Sequence, residues 1–363
     1  MRIENHLSRE RFMQYAAFQR KQLSSAVDAL EPEWEHASVV REILNETQAE
    51  LEKLVSTGEL PLDSTSMAIH ERKVEKCATW IEVMRLAAFQ YGRYCNEHRS
   101  VTEGLYSTLL ALAAQHCQGL DGKTIAVLGC GPGRTVLDFA IAFPHSTVIG
   151  LDYSLLSLVV AKHVLGIHAL PLQIPVRNLA GDSYSKLLTI PNFSSPNSRL
   201  GLCDLTERQR IRADLIICSN TINLLPDHEQ ALMNISEMLT TGGVIIFADL
   251  TGWRLDRHPE QMLLRNSTAI KTSFAKYNIG DTVLAVGFDL IPVKVNDVAG
   301  IWGVTAVLPL IAGPKPALAR YASSGFGNNA CVDIPALIGT PGNKARTPLY
   351  TGIKTHVRPI GVA

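Results

Sequence analysis

TIAVLGCGPGRTVLDFAIAFPHSTVIGLD, residues 124–152, decides how this chain folds. Ile125 to Leu128 is an apolar run of strand formers, too short to be a helix of its own. At Gly129, Cys130, Gly131, Pro132 and Gly133 the backbone must turn sharply without side-chain cover. Arg134 to Phe143 carries apolar residues at helical spacing, and a second apolar run, Thr147 to Leu151, ends on Asp152. Parallel strands need a crossover helix, so the two runs become neighbours in one sheet. The glycine loop falls at the carboxyl end of the first strand, where open α/β sheets receive ligands. Asp152 falls at the tip of the second, where a carboxylate can accept both hydroxyls of a ribose.

The spacing narrows the nucleoside. Dinucleotide sites favour G-x-G-x-x-G. Here Gly129, Gly131 and Gly133 run G-x-G-x-G, and Arg134, a large cation, stands where a third glycine would let helix and strand pack closely. A dinucleotide site and a purely structural turn are the rival readings of the loop. GCGPG followed by GLD resembles the class I, seven-strand S-adenosylmethionine-dependent methyltransferases. The resemblance implies an α/β fold with a doubly wound, mostly parallel seven-strand sheet of the Rossmann-like kind. It implies S-adenosyl-L-methionine as cofactor, bound by Gly129, Cys130, Gly131, Gly133 and Asp152. The family usually places an acid two residues before the first glycine, where it helps hold the methionine end; here that residue is Val127.

At 363 residues the chain can hold one large domain or two modest ones. Lysine plus arginine balances aspartate plus glutamate at 34 each, so no basic excess points to nucleic acid. An aromatic fraction of 6% offers few base-stacking platforms. The seven cysteines form no C-x-x-C pair, which reads as reduced thiols with no metal site and a cytoplasmic setting. Cys130 reads first as a small packing residue and second as a nucleophile. The first residues, MRIENHLSRERF, lack the apolar core of a signal peptide, and no apolar run is long enough to span a membrane.

Residues 1–120 read as helical, a cap ahead of the cofactor domain at 121–312, which in turn precedes an irregular tail at 313–363. Candidate helices run from Arg11 to Leu30, Trp34 to Val55, Met67 to about His98, and Gly104 to Cys117. The third carries a stripe of Cys77, Trp80, Ile81, Met84, Ala87, Ala88, Tyr91 and Tyr94. The cap reads as a lid over a small substrate or as a dimerisation surface for a homodimer. Tyr91 and Tyr94 are candidate catalytic or substrate-facing residues, weighed against plain core packing.

Past Asp152, Tyr153 is placed to lie against the adenine edge, and LLSLVVAKHVL forms a buried helix. Residues 171–199 read as an insertion, loop-like from Ile174 through the Ser/Asn/Pro cluster. The third strand, Leu200 to Cys203, closes at Asp204 and Leu205. The resemblance implies that Asp204 accepts from the adenine amino group, with the Leu205 N–H at a ring nitrogen; Asp182 is the competitor. The fourth strand ends at Ser219 and Asn220; Asn220 is a candidate cofactor contact and Asn223 a candidate catalytic residue. No N-P-P-Y arrangement of the nucleobase methyltransferases is present. Thr241, Gly242 and Gly243 read as a turn before the fifth strand, Val244 to Ala248. Trp253 and the cluster Arg254, Asp256, Arg257 and His258 follow, then a helix over Pro259 to Tyr277. Strands at Phe288 to Val295 and Trp302 to Ile311 match the sixth and the antiparallel seventh of the class.

The activity implied is methyl transfer to nitrogen or oxygen of a small molecule. Two alternatives stand beside it: sulfonium chemistry that releases methylthioadenosine, by cyclisation or aminopropyl transfer, and a non-catalytic subunit.

Overall fold

The structure is a computed structural model of the chain. It describes residues 1–31, 34–57, 79–91, 106, 109–111, 113–114, 117, 119–167, 171–176, 186–219, 221–222, 225, 227–250, 283–284, 293–294, 301–302 and 307–312. Its contacts divide the chain into two compact units, one of residues 1–100, 130–137 and 149–207, the other of 101–129, 138–148 and 208–363.

Eight strands, numbered along the chain, form the main sheet. In spatial order they are β1 (Ile3–Asn5), β6 (Ser198–Leu202), β3 (Thr147–Asp152), β2 (Thr124–Leu128), β7 (Ala213–Ser219), β8 (Leu239–Leu250), β12 (Val307–Ala312) and β9 (Val283–Leu284). Strand β3 belongs to both units, its first two residues to one and its last four to the other. Strands β1 and β6, β2 and β7, and β7 and β8 pair in parallel, whereas β12 is antiparallel to β8 and β9. Strand order reverses between β2 and β7, the switch point of a doubly wound sheet. This is the expected fold class, with β1 as an added edge strand.

In the first unit β1 lies beside β6, with Ile3 opposite Leu200, and the His6 N–H donates to the Leu202 carbonyl at 2.9 Å. The helical reading of residues 1–120 therefore misses a strand, since three residues carry too little periodicity to declare one. Helix α1 (Arg9–Asp28) starts at Ser8, whose Oγ accepts from the Arg11 N–H. Helices α2 (Ala37–Ser56) and α3 (Trp80–Tyr91) follow. Val83, Met84, Ala87 and Tyr91 form the buried stripe of α3, whereas Ile81, expected in it, is exposed. Helix α4 (Arg134–Ala142) follows the glycine loop, and α5 (Leu155–Leu165) buries nearly every side chain, between β6 on one side and α2 and α3 on the other. At its carboxyl end Lys162 Nζ lies 3.0 Å from Glu50 Oε2, and His163 Nε2 lies 2.5 Å from Glu46 Oε2.

The expected insertion is more ordered than its composition suggests. Strands β4 (Leu172–Val176) and β5 (Lys186–Ile190) form an antiparallel pair of their own, burying Leu172, Ile174, Leu188 and Ile190. Pro175 is tolerated because a two-strand ladder leaves every second N–H facing outward. Asp182, Ser183 and Tyr184 lie outside the described residues.

In the second unit Asp214 ties three strands at their start. Its Oδ2 accepts from the Thr124 N–H at 3.0 Å and its Oδ1 from Thr240 Oγ1 at 3.1 Å. Helix α6 (His228–Met238) buries Ala231, Leu232, Ile235 and Met238 and leads directly into β8. The expected turn at Thr241–Gly243 is instead part of that strand, at an irregular register, where a Cβ on Gly243 would sit 3.0 Å from the Asp214 carbonyl. The sheet ends on β9, and of the strand expected over Phe288 to Val295 only Val293–Lys294 is among the described residues. Among the described residues, β10 (Val293–Lys294) and β11 (Ile301–Trp302) pair with each other in a two-stranded sheet of their own. Helical residues at 106, 109–111 and 113–114 fall within the fourth candidate helix. Trp253, the Arg254–His258 cluster, the helix expected over 259–277 and the tail at 313–363 lie outside the described residues. No described helix is long and apolar enough to cross a membrane.

Two outcomes are expected. A Cβ on Gly201 would meet the His6 ring at 2.4 Å, so Gly201→Ala should cost about 1–3 kcal/mol by urea denaturation, partly recovered in Gly201→Ala/His6→Ala. The hydrogen bond from His163 is the largest influence holding the Glu46 carboxyl below its ordinary value, opposed by burial and helped by Lys162. A lowered carboxyl pKa gives stability that is present above the unfolded value and lost as pH falls through the folded one. Glu46→Gln should therefore lower the midpoint at neutral pH, and the gap to the wild type should close below the ordinary carboxylate range.

Candidate cofactor site

The loop after β2 is held mainly by backbone hydrogen bonds and one carboxylate. Gly129, Gly131 and Gly133 have φ of 61°, 54° and 93°, a region that costs other L-residues about 1–2 kcal/mol. In the first unit the Cys130 N–H donates to the Leu151 carbonyl at 3.0 Å and the Gly133 N–H to the Cys130 carbonyl at 3.0 Å. The Gly131 N–H donates to Asp152 Oδ2 at 2.7 Å, and the Ser154 N–H to Asp152 Oδ1 at 2.8 Å. Burial raises the Asp152 carboxyl above its ordinary value, and the N–H groups of Ser154, Gly131 and Tyr153 oppose that rise. The donors on this carboxylate are thus neutral. A carboxylate has about four lone-pair sites, so with three N–H groups on it capacity remains for a further neutral donor, such as a ribose hydroxyl.

Cys130 is buried, and its thiol donates to the Gly131 carbonyl at 3.6 Å. Burial pushes that thiol far up, so it is no nucleophile at neutral pH. Its role is packing: a Cβ on Gly150 would sit 3.0 Å from its sulfur.

Tyr153 is fixed from α1. Its ring meets the Tyr15 ring edge-on at 5.0 Å, with the Arg11 guanidinium 5.7 Å over its face. Tyr15 Oη accepts from the Leu155 N–H at 3.0 Å, satisfying a free donor at the start of α5. Asp204, expected at the adenine, is buried. Its Oδ2 accepts from Arg11 Nε at 3.1 Å with Nη2 also at 3.1 Å, and its Oδ1 accepts from the Thr206 N–H at 2.9 Å and Oγ1 at 2.7 Å. Leu205 beside it is buried. Glu207 completes a latch on the start of α1, accepting from the Ser8 N–H at 3.0 Å and Oγ at 2.9 Å. Burial raises the Glu207 carboxyl, and the bonds from Ser8 oppose it.

Helix α3 reaches the same loop. Tyr91, weighed as a substrate-facing residue, is fully buried and donates its hydroxyl to the Pro132 carbonyl at 2.8 Å. The Gln90 carbonyl accepts from Arg134 Nη1 at 2.7 Å, and Gln90 Oε1 accepts from the Arg134 N–H at 3.4 Å. Arg134 is 1% exposed, so the cation that breaks the dinucleotide pattern is a buried clamp on the end of α3.

In the second unit, Thr221 Oγ1 donates toward the Leu128 carbonyl at 3.1 Å and the Ser219 carbonyl at 2.8 Å. A Cβ on Gly129 would lie 2.1 Å from that oxygen. Asn220, Asn223 and Tyr94 lie outside the described residues. Arg11, Tyr15, Gln90 and Thr221 were not singled out by the sequence. A signal existed for the first two: Arg11, Tyr15 and Gln19 recur every four residues along the buried face of α1, where a cation needs a partner.

Residues 127–245 match a sequence family described as a methyltransferase domain. The matched segment contains β3, α5, β6 and β7 with the loop and Asp152. No curated protein sequence matches the chain. Among solved structures, an arsenic(III) S-adenosylmethionine methyltransferase from Chlamydomonas reinhardtii is 18% identical, with 55% of this chain and 65% of that one covered and a TM-score of 0.38. Phosphoethanolamine N-methyltransferase 2 from Haemonchus contortus, solved with S-adenosyl-L-methionine, is 16% identical, with 49% and 38% covered and a TM-score of 0.35. The YcgJ protein from Bacillus subtilis is 12% identical, with 58% and 98% covered and a TM-score of 0.40. The chain thus spans less than two thirds of the first two.

Removing Asp204 strands a buried guanidinium. Asp204→Ala is expected to cost about 3–5 kcal/mol of stability, read as a lowered denaturation midpoint, with most of it recovered in Arg11→Met/Asp204→Leu.

Proposed function

We propose that the protein is an S-adenosylmethionine-dependent methyltransferase acting on nitrogen or oxygen of a small molecule. The observation that carries the reading is the Asp152 carboxylate, faced by neutral donors and hydrogen-bonded to Gly131, inside a methyltransferase domain. The balanced charge, the low aromatic content and the absence of N-P-P-Y favour a small acceptor over nucleic acid. Cysteines without pair spacing favour a cytoplasmic setting.

When bound, S-adenosylmethionine supplies a sulfonium whose methyl group is already activated for displacement. The chain's own tasks are to grip, align and exclude water. Asp152 holds the ribose, and Tyr153, braced by Tyr15 and Arg11, flanks the base. Helix α3 covers the loop from the amino-terminal side and serves as the lid. No general base is required of the protein where the acceptor is an amine that arrives neutral.

The test is incubation with S-adenosylmethionine and a panel of small amines and phenols, followed by mass spectrometry of the sulfur product. S-adenosylhomocysteine is expected; methylthioadenosine in its place, or bound cofactor with no turnover across the panel, overturns the reading. Asp152→Ala should weaken S-adenosylmethionine by about tenfold or more in calorimetry. Because hydroxyls donate more strongly to the ionised carboxylate and burial raises the Asp152 carboxyl, wild-type affinity should climb with pH until it levels above the ordinary carboxylate range. Asp152→Asn should flatten that climb.

A further inference from the structure

Val127, which stands where the family usually has an acid, is 2% exposed and points into the core, so β2 offers the methionine end of the cofactor nothing polar at this position. Helix α3 does. Thr79 and Glu82 start it with a capping box, the Thr79 N–H donating to Glu82 Oε2 at 2.8 Å. Its carboxyl end is clamped to the loop by Tyr91 and Arg134, which fixes where its last turns stand. Leu86 and Gln90, one turn apart and therefore on one face, both reach the bare Cα of Gly131. A Cβ there would lie 3.2 Å from Leu86 Cδ2 and 3.4 Å from Gln90 Nε2.

The orientation of the Gln90 amide is set by chemistry. Its oxygen faces a backbone donor, the Arg134 N–H, so its NH2 must be the end turned to Gly131. That NH2 makes no hydrogen bond to a described residue. Leu86 beside it is 40% exposed, although it sits against the loop. A two-proton donor next to an uncovered leucine, over the glycine that cannot carry a side chain, matches an amino-acid arm with an apolar stem and an anionic end.

We infer that Gln90 grips the methionine carboxylate of S-adenosylmethionine and that Leu86 packs on its methylenes, so that an amide on α3 holds the methionine end at its carboxylate where β2 carries no acid for its ammonium. This inference rests on the cofactor reading above. The grip separates the cofactor from its fragments: 5′-methylthioadenosine shares the nucleoside and lacks the carboxylate.

Calorimetry on the full chain with both ligands tests it. The wild type should bind S-adenosylmethionine more tightly than methylthioadenosine. Gln90→Ala should lose about tenfold in affinity for S-adenosylmethionine, the scale of a hydrogen bond to a charged group, and keep its affinity for methylthioadenosine, which also shows the variant is folded. Gln90→Glu should lose more than Gln90→Ala, because it sets carboxylate against carboxylate. Equal losses for both ligands would make Gln90 a packing residue of the loop. No loss for either, or tighter binding of S-adenosylmethionine by Gln90→Glu, would place the amide away from the carboxylate. Each of those results overturns the inference alone. A wild type that binds neither ligand overturns the cofactor reading, and the inference with it.

Discussion

Three Cα atoms without side chains within five residues are the constraint on which the rest of the structure depends. The space each leaves free is claimed by a neighbour: Thr221 at Gly129, Leu86 and Gln90 at Gly131, Ala161 and Leu165 at Gly133. Their left-handed φ values let the chain leave β2 and enter α4 within one short turn. The G-x-G-x-G spacing is therefore a packing requirement as well as an opening for a ligand. The two demands coincide because a ligand and a closely packed helix both need backbone without cover.

The acids at two neighbouring strand ends of the first unit show how surroundings divide roles. Asp152, after β3, is faced by backbone N–H groups and keeps acceptor capacity. Asp204, after β6, is engaged by Arg11 and Thr206, with Glu207 fastening Ser8 nearby. A carboxylate among neutral donors suits a neutral diol, whereas one paired with a buried guanidinium is structural, since separating such a pair costs more than the pair itself contributes. Residue type at a strand end does not distinguish the two; the partner brought by a distant helix does.

That distinction marks what was legible in the sequence. The sheet was readable because its strands are continuous apolar runs with glycine or acid at their ends, as at Ile125–Leu128 and Leu215–Cys218. The loop and Asp152 were readable because their spacing is local. β1 was not, being three residues long with its pairing set by a strand far along the chain. The β4–β5 pair was hidden by Pro175 and the polar segment around it, although its alternation of Leu172 with Ile174 and of Leu188 with Ile190 was present. Thr241–Gly243 looked like a turn because glycine pairs usually are, while the close approach of the Asp214 carbonyl that calls for Gly243 exists only once the strands have paired. Arg11 and Gln90 act through partners that no local spacing reveals.

The latch at the edge of the sheet also bears on how the molecule is made. Ser8 and Glu207 are 199 residues apart, and β1 has no partner until β6 exists. Contacts of such separation carry a large loop-closure entropy and form late. During synthesis α1 must therefore wait with Arg11 and Tyr15 unplaced while the strands from β2 to β6 are laid down. Tyr153 is braced only after that wait ends. On the proposed reading, the nucleoside side of the site is thus completed by a segment translated early and docked late, which couples cofactor competence to the last stages of folding in this half of the protein.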